Sequence, residues 1–358
     1  MTLPTTTGPP GGRPFSLGRL RVDGTVVGAI VLDERAIRLD RVDGSLRGLS
    51  VDDLLANWER AWPALVELVA RHESGDVGPD ALVEVAEATV LAPLRPGKLL
   101  QSGMNYRKHV VDLIVARART EDPDTDLESV RTDAIAQMER RAAEGEPFVF
   151  VGMTGSMCGP HDDVILPALG TEHDWELELG AVIGIGGRHI ARRNALDHVA
   201  GYVACNDLTT RDLVFSHGSG GVGADWFRSK NAPTFFPTGP WLVPAAFVPD
   251  PSEMVIQLRH NGDVMQNEST ADMIFDVARL IEFCSTTVPL APGDLILTGS
   301  PAGNGAHWGR FLAPGDVMEA TITAPGLAGP GFGTQQNACV AEADDAPTPP
   351  GEAAVAVR

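Results

Sequence analysis

From Phe148 to Ala341, glycine and proline cut the chain into short apolar runs, and only one stretch there, ADMIFDVARLIEFCSTTV, carries clear helical periodicity. Such a segment can bury strands against one another but has too few crossover helices for a repeating βαβ sheet. It reads as a mainly β fold with some α, an α+β arrangement. HNGD at 260–263, between VIQLR and VMQ, is a hairpin turn signal. Upstream, RLRVDGTVVGAIVLD and AIRLDRVDG alternate with DG turns, and helical periodicity follows in VDDLLANWERAWPALVELVARH. Residues 15–95 therefore form a small N-terminal β-rich domain, and the prolines of APLRPGK mark the start of a main domain, 96–341. Residues 1–14 and 342–358, rich in Pro, Gly and Thr or in Asp and Pro, read as disordered tails.

Net charge narrows the partners. With 48 acidic against 28 basic residues the chain carries a formal charge of −20, which excludes nucleic acid and anionic membrane, since both need clustered Lys and Arg. Its apolar runs are too short to span a bilayer and its N-terminus lacks the apolar stretch of a secretory signal, so cytoplasmic residence is the default. Cys158, Cys205, Cys284 and Cys339 stand far apart with no CxxC pair, and are expected to be reduced, buried and inert. GAVIGIGG lacks the GxGxxG spacing of dinucleotide sites. SHGSGGVGADW lacks the GK[ST] of a phosphate loop, so its glycines suit a mobile loop.

HDWELELGAVIGIGG is chemically the densest stretch. Glu176 and Glu178 lie two apart in an otherwise apolar run, so in a strand both carboxylates project from one face. Two readings are open: the wet face of an amphipathic strand, or a pair held together by a cation. Asp207, directly after the apolar run GYVACN, favours the second. Three carboxylates suit a hard ion such as Mg²⁺ or Mn²⁺, with Ca²⁺ as a stand-in in crystals. His109 precedes Asp112 by three residues, and a helical turn would put both on one face as a base and its orienting partner. Lys230 stands among aromatics and prolines in WFRSKNAPTFF. It is one of only three lysines, with Lys98 and Lys108, in a chain that otherwise uses arginine. A surface lysine with a buried stem is one reading of it, a compact charge that stabilises an enolate the other.

Together these stretches resemble the fumarylacetoacetate hydrolase family: NYRKH, WELEL, GYVACNDLTTRD, NGDVMQNESTADMIF and LAPGDLILTGSPAGNG match its motifs in order across roughly residues 97–341. The resemblance implies a mixed β-roll core around a metal site, a smaller N-terminal domain, and a homodimer. It implies that Glu176, Glu178 and Asp207 bind Mg²⁺ or Mn²⁺, that His109 activates water with Asp112 as partner, and that Lys230 stabilises an enolate. Tyr106, Arg211 and Thr298, within the matching motifs, would contact a small dicarbonyl or 2-oxo acid. The implied activity is metal-dependent hydrolysis of a C–C bond in a 1,3-dicarbonyl acid. The alternatives are decarboxylation or tautomerisation of a 2-oxo diacid, or a non-catalytic metabolite-binding member. Departures from the family pattern fall at Asp112, where Glu is common, at Val214 for Gln, at Gly152 for Lys, and at Pro233 for Asp. The charged insertion, residues 110–146, is expected to act as a lid.

Overall fold

The computed structural model describes residues 12–215, 223–248, 250–327 and 329–343. Most of both expected tails, and residues 216–222 of the expected mobile loop, lie outside them. Arg13, placed in the N-terminal tail by the sequence, instead pairs with Asp33 at 2.6 Å.

The N-terminal unit is an antiparallel sheet in the order Leu82–Glu84, Arg35–Arg38, Thr25–Leu32, Ser16–Val22, Thr89–Leu91. Its first hairpin closes on Asp23 and Gly24, both at positive φ (50° and 77°), as a two-residue turn between twisted strands requires. Helix α1 (Val51–Ala56) is started by Ser50 and Asp53, each capping the other's backbone, and α2 (Trp58–Glu73) follows after a break at Asn57. Leu54, Leu65, Leu68 and Val69 from these helices share one core with Leu99, Val182, Val203, Leu295 and Leu297. The N-terminal unit is thus the cover of one face of the large sheet.

That large sheet has the strand order Val243–Pro244, Val199–Asn206, Leu177–Ile183, Leu295–Leu297, Leu99–Gly103, Phe148–Gly152, antiparallel except between Leu295–Leu297 and Leu99–Gly103. Strands Leu177–Ile183 and Val199–Asn206 are buried on both faces, hence their near-continuous apolar sequences. A second sheet runs Asp263–Ser269, Val255–His260, Val317–Thr323, Thr334–Ala341, Val164–Leu166. Asn261 and Gly262, at positive φ, make its hairpin turn where HNGD predicts one. Leu177, Leu179 and Ala181 from the first sheet and Ile256, Leu258 and Ile322 from the second meet in the main core.

The charged insertion folds as a hairpin of two helices, α3 (Arg107–Glu121) and α4 (Leu127–Glu144), whose Val110, Val111, Val115, Ala134 and Met138 join the main core. Short helices α5 (Arg211–Val214) and α6 (Trp226–Lys230) follow Asp207, and α7 (Val277–Thr287) is the helix read from ADMIFDVARLIEF. Short α8 (Gly305–Trp308) closes the TGSPAGNG stretch. All four cysteines are buried and free, as expected.

Candidate active site

Strand alternation builds the site. Leu177, Leu179, Ala181 and Ile183 face the main core, while Val182 faces the N-terminal cover, so Glu178 points away from the main core, and Glu176 stands just before the strand begins. The antiparallel register pairs Glu178 with Cys205 and Leu177 with Asn206, and the Asp207 N–H donates to the Glu176 carbonyl at 2.8 Å. Register therefore brings Asp207 to the two glutamates. Glu176, Glu178 and Asp207 are 7%, 2% and 2% exposed, which rules out the wet-face reading.

The cation between them, in this structure, is Lys230. From the end of α6 its Nζ stands 2.5 Å from Glu176 Oε2 and 2.9 Å from Asp207 Oδ2, and it also donates to the Asp207 carbonyl at 2.9 Å. Its ammonium lies 5.9 Å from the Phe150 ring centre, and Phe150 stacks on Trp226. Arg211 bridges Asp174 Oδ2 at 2.8 Å and Glu176 Oε1 at 2.5 Å, so the residue expected to meet substrate is engaged by two carboxylates. Thr209 Oγ1 donates to Glu176 Oε2 at 2.8 Å, Gln101 Nε2 to Asp207 Oδ1 at 2.6 Å, and the Gly299 N–H to Glu178 Oε2 at 2.7 Å. Gly299 must be glycine: its φ is +92°, and a Cβ there would meet Asn105 Cβ and the Ser102 carbonyl at 2.9 Å.

Four buried carboxylates, Asp174, Glu176, Glu178 and Asp207, thus face two cations. Burial opposes ionisation of Glu176, but Arg211 and Lys230 outweigh it and hold its carboxyl well below the usual range. Glu178 forms no ion pair among the described residues. Burial, and next the Asp207 charge, push it well above the usual range. Burial pushes Asp207 up to about 6 against the pull of Lys230. Lys230 stays charged because Asp207 and the two glutamates outweigh its own desolvation. The donor set is hard oxygen, it carries excess negative charge, and the buried Oε1 of Gln101 and Oδ1 of Asn304 have no partner among the described residues. That chemistry fits a hard divalent cation on Glu176, Glu178 and Asp207, although no three His, Cys, Asp or Glu side chains among the described residues already converge in ligand geometry.

His109, on α3, is buried, and desolvation lowers its pKa to about 4 despite nearby Glu176. Asp112 shares the helix, but its Oδ1 takes Arg131 Nη1 of α4 at 3.1 Å, and no hydrogen bond joins it to the imidazole among the described residues. Tyr106 is fully buried, and burial pushes its phenol up, so it stays protonated. Thr298 donates its hydroxyl to the Leu179 carbonyl at 2.9 Å. Asn105 ties the motifs together: its Nδ2 donates to the Phe275 and Thr298 carbonyls at 2.9 and 2.7 Å, and its Oδ1 accepts from the Phe275 N–H at 2.9 Å.

Sequence reasoning left Asp174, Thr209, Gln101 and Asn105 without roles. Asp174 lies on a separate two-residue strand, His173–Asp174, paired with Thr209–Thr210, so alternation along the Leu177–Ile183 strand does not reach it. Gln101 is the single amide in the run LLQSG.

The family model described as "Fumarylacetoacetate (FAA) hydrolase C-terminal" matches residues 98–340. The chain belongs to the fumarylacetoacetate hydrolase family. Within the family it is 35% identical over 261 residues to a 2,4-didehydro-3-deoxy-L-rhamnonate hydrolase of Sphingomonas sp. (strain SKA58), covering 72% of this chain and 80% of that one. It is 36% identical over 245 residues to a mitochondrial oxaloacetate tautomerase of Bos taurus, covering 68% of each. A maleylpyruvate hydrolase from Sphingobium sp. SYK-6, crystallised with manganese(II) and pyruvate, shares the fold at a TM-score of 0.65 and 23% identity, over 91% of this chain and 99% of that one. The N-terminal antiparallel sheet followed by a β-rich core is shared with a solved fumarylacetoacetate hydrolase at a TM-score of 0.69 and 26% identity, and the chain reads as one of the family's enzymes, among relatives that are hydrolases and tautomerases. No helix among the described residues is long and apolar enough to cross a membrane.

Proposed function

We propose that the chain is a divalent-metal-dependent hydrolase that cleaves a C–C bond of a 1,3-dicarbonyl acid of the acylpyruvate or fumarylacetoacetate type. Glu176, Glu178 and Asp207 would hold Mg²⁺ or Mn²⁺, and the working unit would be a homodimer. The observation that carries this reading is Glu178: a carboxylate 2% exposed, beside two others and without an ion pair among the described residues, stays ionised only if further positive charge arrives. When bound, such a cation polarises the chelated carbonyls and stabilises the enolate that leaves.

The chain's own residues supply the rest. His109 is neutral at pH 7, so its imidazole can take a proton from a water at the substrate carbonyl. Tyr106 keeps its phenolic proton and Lys230 its charge, one a donor and the other a fixed positive group where negative charge develops. The α3–α4 hairpin, which carries His109, would close over the substrate. Protection of the hairpin from protease by a substrate analogue with Mg²⁺ is the expected sign, and unchanged cleavage would refute it.

One observation favours a second reading. Asp112 is drawn to Arg131, which leaves His109 without its expected orienting carboxylate. Tautomerisation or decarboxylation of a 2-oxo diacid needs a stabilised enolate but no activated water, and one relative is an oxaloacetate tautomerase. Product analysis on acetylpyruvate, fumarylpyruvate and oxaloacetate separates the two. Two organic acids from the first pair establish the hydrolase. CO₂ or enol–keto exchange from oxaloacetate, with the first pair untouched, replaces it with the lyase or tautomerase.

A further inference from the structure

Strand Leu99–Gly103 delivers one amide to the carboxylate cluster, and the proposed chemistry gives it no task. Gln101 is 0% exposed, and its Nε2 lies 2.6 Å from Asp207 Oδ1. The amide orientation follows from chemistry, because an ionised carboxylate only accepts. Lys230 faces the other oxygen, Oδ2, at 2.9 Å, so Asp207 is fixed from both sides while each oxygen keeps a lone pair for another partner. The arrangement leaves Gln101 Oε1 buried and without a partner among the described residues, which costs about 1–3 kcal/mol. That cost offsets most of the about 1.5–3 kcal/mol that a hydrogen bond to a charged group contributes, so Gln101 adds little net stability.

Gly152 shows what makes the placement possible. It ends the neighbouring strand Phe148–Gly152, paired opposite Leu99. Its φ is not positive, so its backbone would accept any residue, but its space would not. A Cβ at 152 would stand 2.7 Å from Gln101 Oε1 and 2.8 Å from Leu99 Cδ2, closer than real Cβ contacts come. A side chain here would force the Gln101 amide or Leu99 to shift.

We propose that Gln101 and Gly152 act as one unit, with Gln101 the positioning residue that locks Asp207 in the orientation needed to ligate a divalent cation, and Gly152 the space that admits it. The assignment rests on the metal-dependent reading of the site. Groups that hydrogen-bond a metal ligand typically change metal affinity by about 10–100-fold when removed.

The test is direct Mn²⁺ titration of wild type, Gln101→Met, Gly152→Ala and the double variant, with thermal unfolding and kinetics alongside. Methionine keeps the length of glutamine but cannot donate. Gln101→Met is expected to bind Mn²⁺ about 10–100-fold more weakly, to unfold no earlier than wild type, and to recover most of kcat at saturating Mn²⁺, which a merely structural defect would not. Gly152→Ala should lose affinity in the same direction, and the double variant should be no worse than the weaker single one. Wild-type Mn²⁺ affinity in Gln101→Met, or losses that multiply in the double variant, overturn the assignment alone. No Mn²⁺ binding by wild type overturns the metal reading and the assignment with it. If Gly152→Ala does not fold, Gln101→Met decides.

Discussion

Replacing Lys230 by methionine removes the ammonium that stands 2.5 Å from Glu176 and 2.9 Å from Asp207 while keeping most of the side-chain volume. Breaking a buried ion pair by deleting one partner destabilises by about 3–5 kcal/mol, because the remaining charge is stranded. The side chain is only 3% exposed, so solvent screening does little to soften this. For a chain of this size the loss corresponds to a Tm lowered by about 4–7 °C in chelator. Two features separate this from ordinary core damage. Asp207 or Glu178 can take up a proton in place of the lost ammonium, at about 1.4 kcal/mol per pH unit above the ordinary carboxyl pKa, so the deficit shrinks by up to about 3 kcal/mol from pH 8 to pH 6. A divalent cation can likewise replace the missing charge, so Mg²⁺ or Mn²⁺ should raise the Tm of Lys230→Met more than that of wild type. Thermal unfolding at pH 6 and pH 8, with chelator and with metal, measures all three. A variant within about 1 °C of wild type at pH 8 in chelator would refute the role of Lys230 as counter-ion, as would a deficit independent of pH and metal.

Glu178→Gln should raise Tm in chelator, because it removes a buried carboxylate without an ion pair, while metal-dependent turnover falls steeply; calorimetry and a rate assay check the two signs. His109 is held neutral, with its pKa lowered from 6.5 to about 4. The unfolded chain therefore binds the extra proton first, and the stability His109 contributes is complete above pH 6.5 and lost as pH falls toward 4. Between pH 7 and pH 5 that loss is about 2 kcal/mol, and denaturant titrations of wild type against His109→Asn should show it only in wild type. Asn105→Ala strands the Phe275 and Thr298 carbonyls and the Phe275 N–H, and chemical denaturation should show a loss of about 2–4 kcal/mol.

What the sequence made legible follows from locality. The spacing in WELEL singled out Glu176 and Glu178 as a pair, although only Glu178 lies within the strand, and Asp207 ended the neighbouring apolar run. The DG and NG pairs fixed two hairpins whose central residues all have positive φ. Pairings made across distant segments were not legible. Arg131 lies 19 residues from Asp112 on a different helix, so a reading limited to one helical turn joined Asp112 to His109. Gln101 reaches Asp207 across 106 residues, through a sheet register that no local pattern encodes. Lys230 was singled out by the rarity of lysine, but that it would sit among the very carboxylates assigned to a metal depended on where α6 ends. The core shared with α1 and α2 was missed for the same reason: alternation identifies a buried face without saying what covers it.

The most direct measurement is a titration of metal-stripped protein with Mn²⁺, following bound Mn²⁺ and cleavage of acetylpyruvate into its two acids in the same samples. One equivalent of Mn²⁺ should bind per chain, with activity rising along the binding curve and both signals lost in Glu178→Gln. Undiminished cleavage by the stripped protein, or Mn²⁺ binding unchanged in Glu178→Gln, would contradict a metal-dependent carboxylate site.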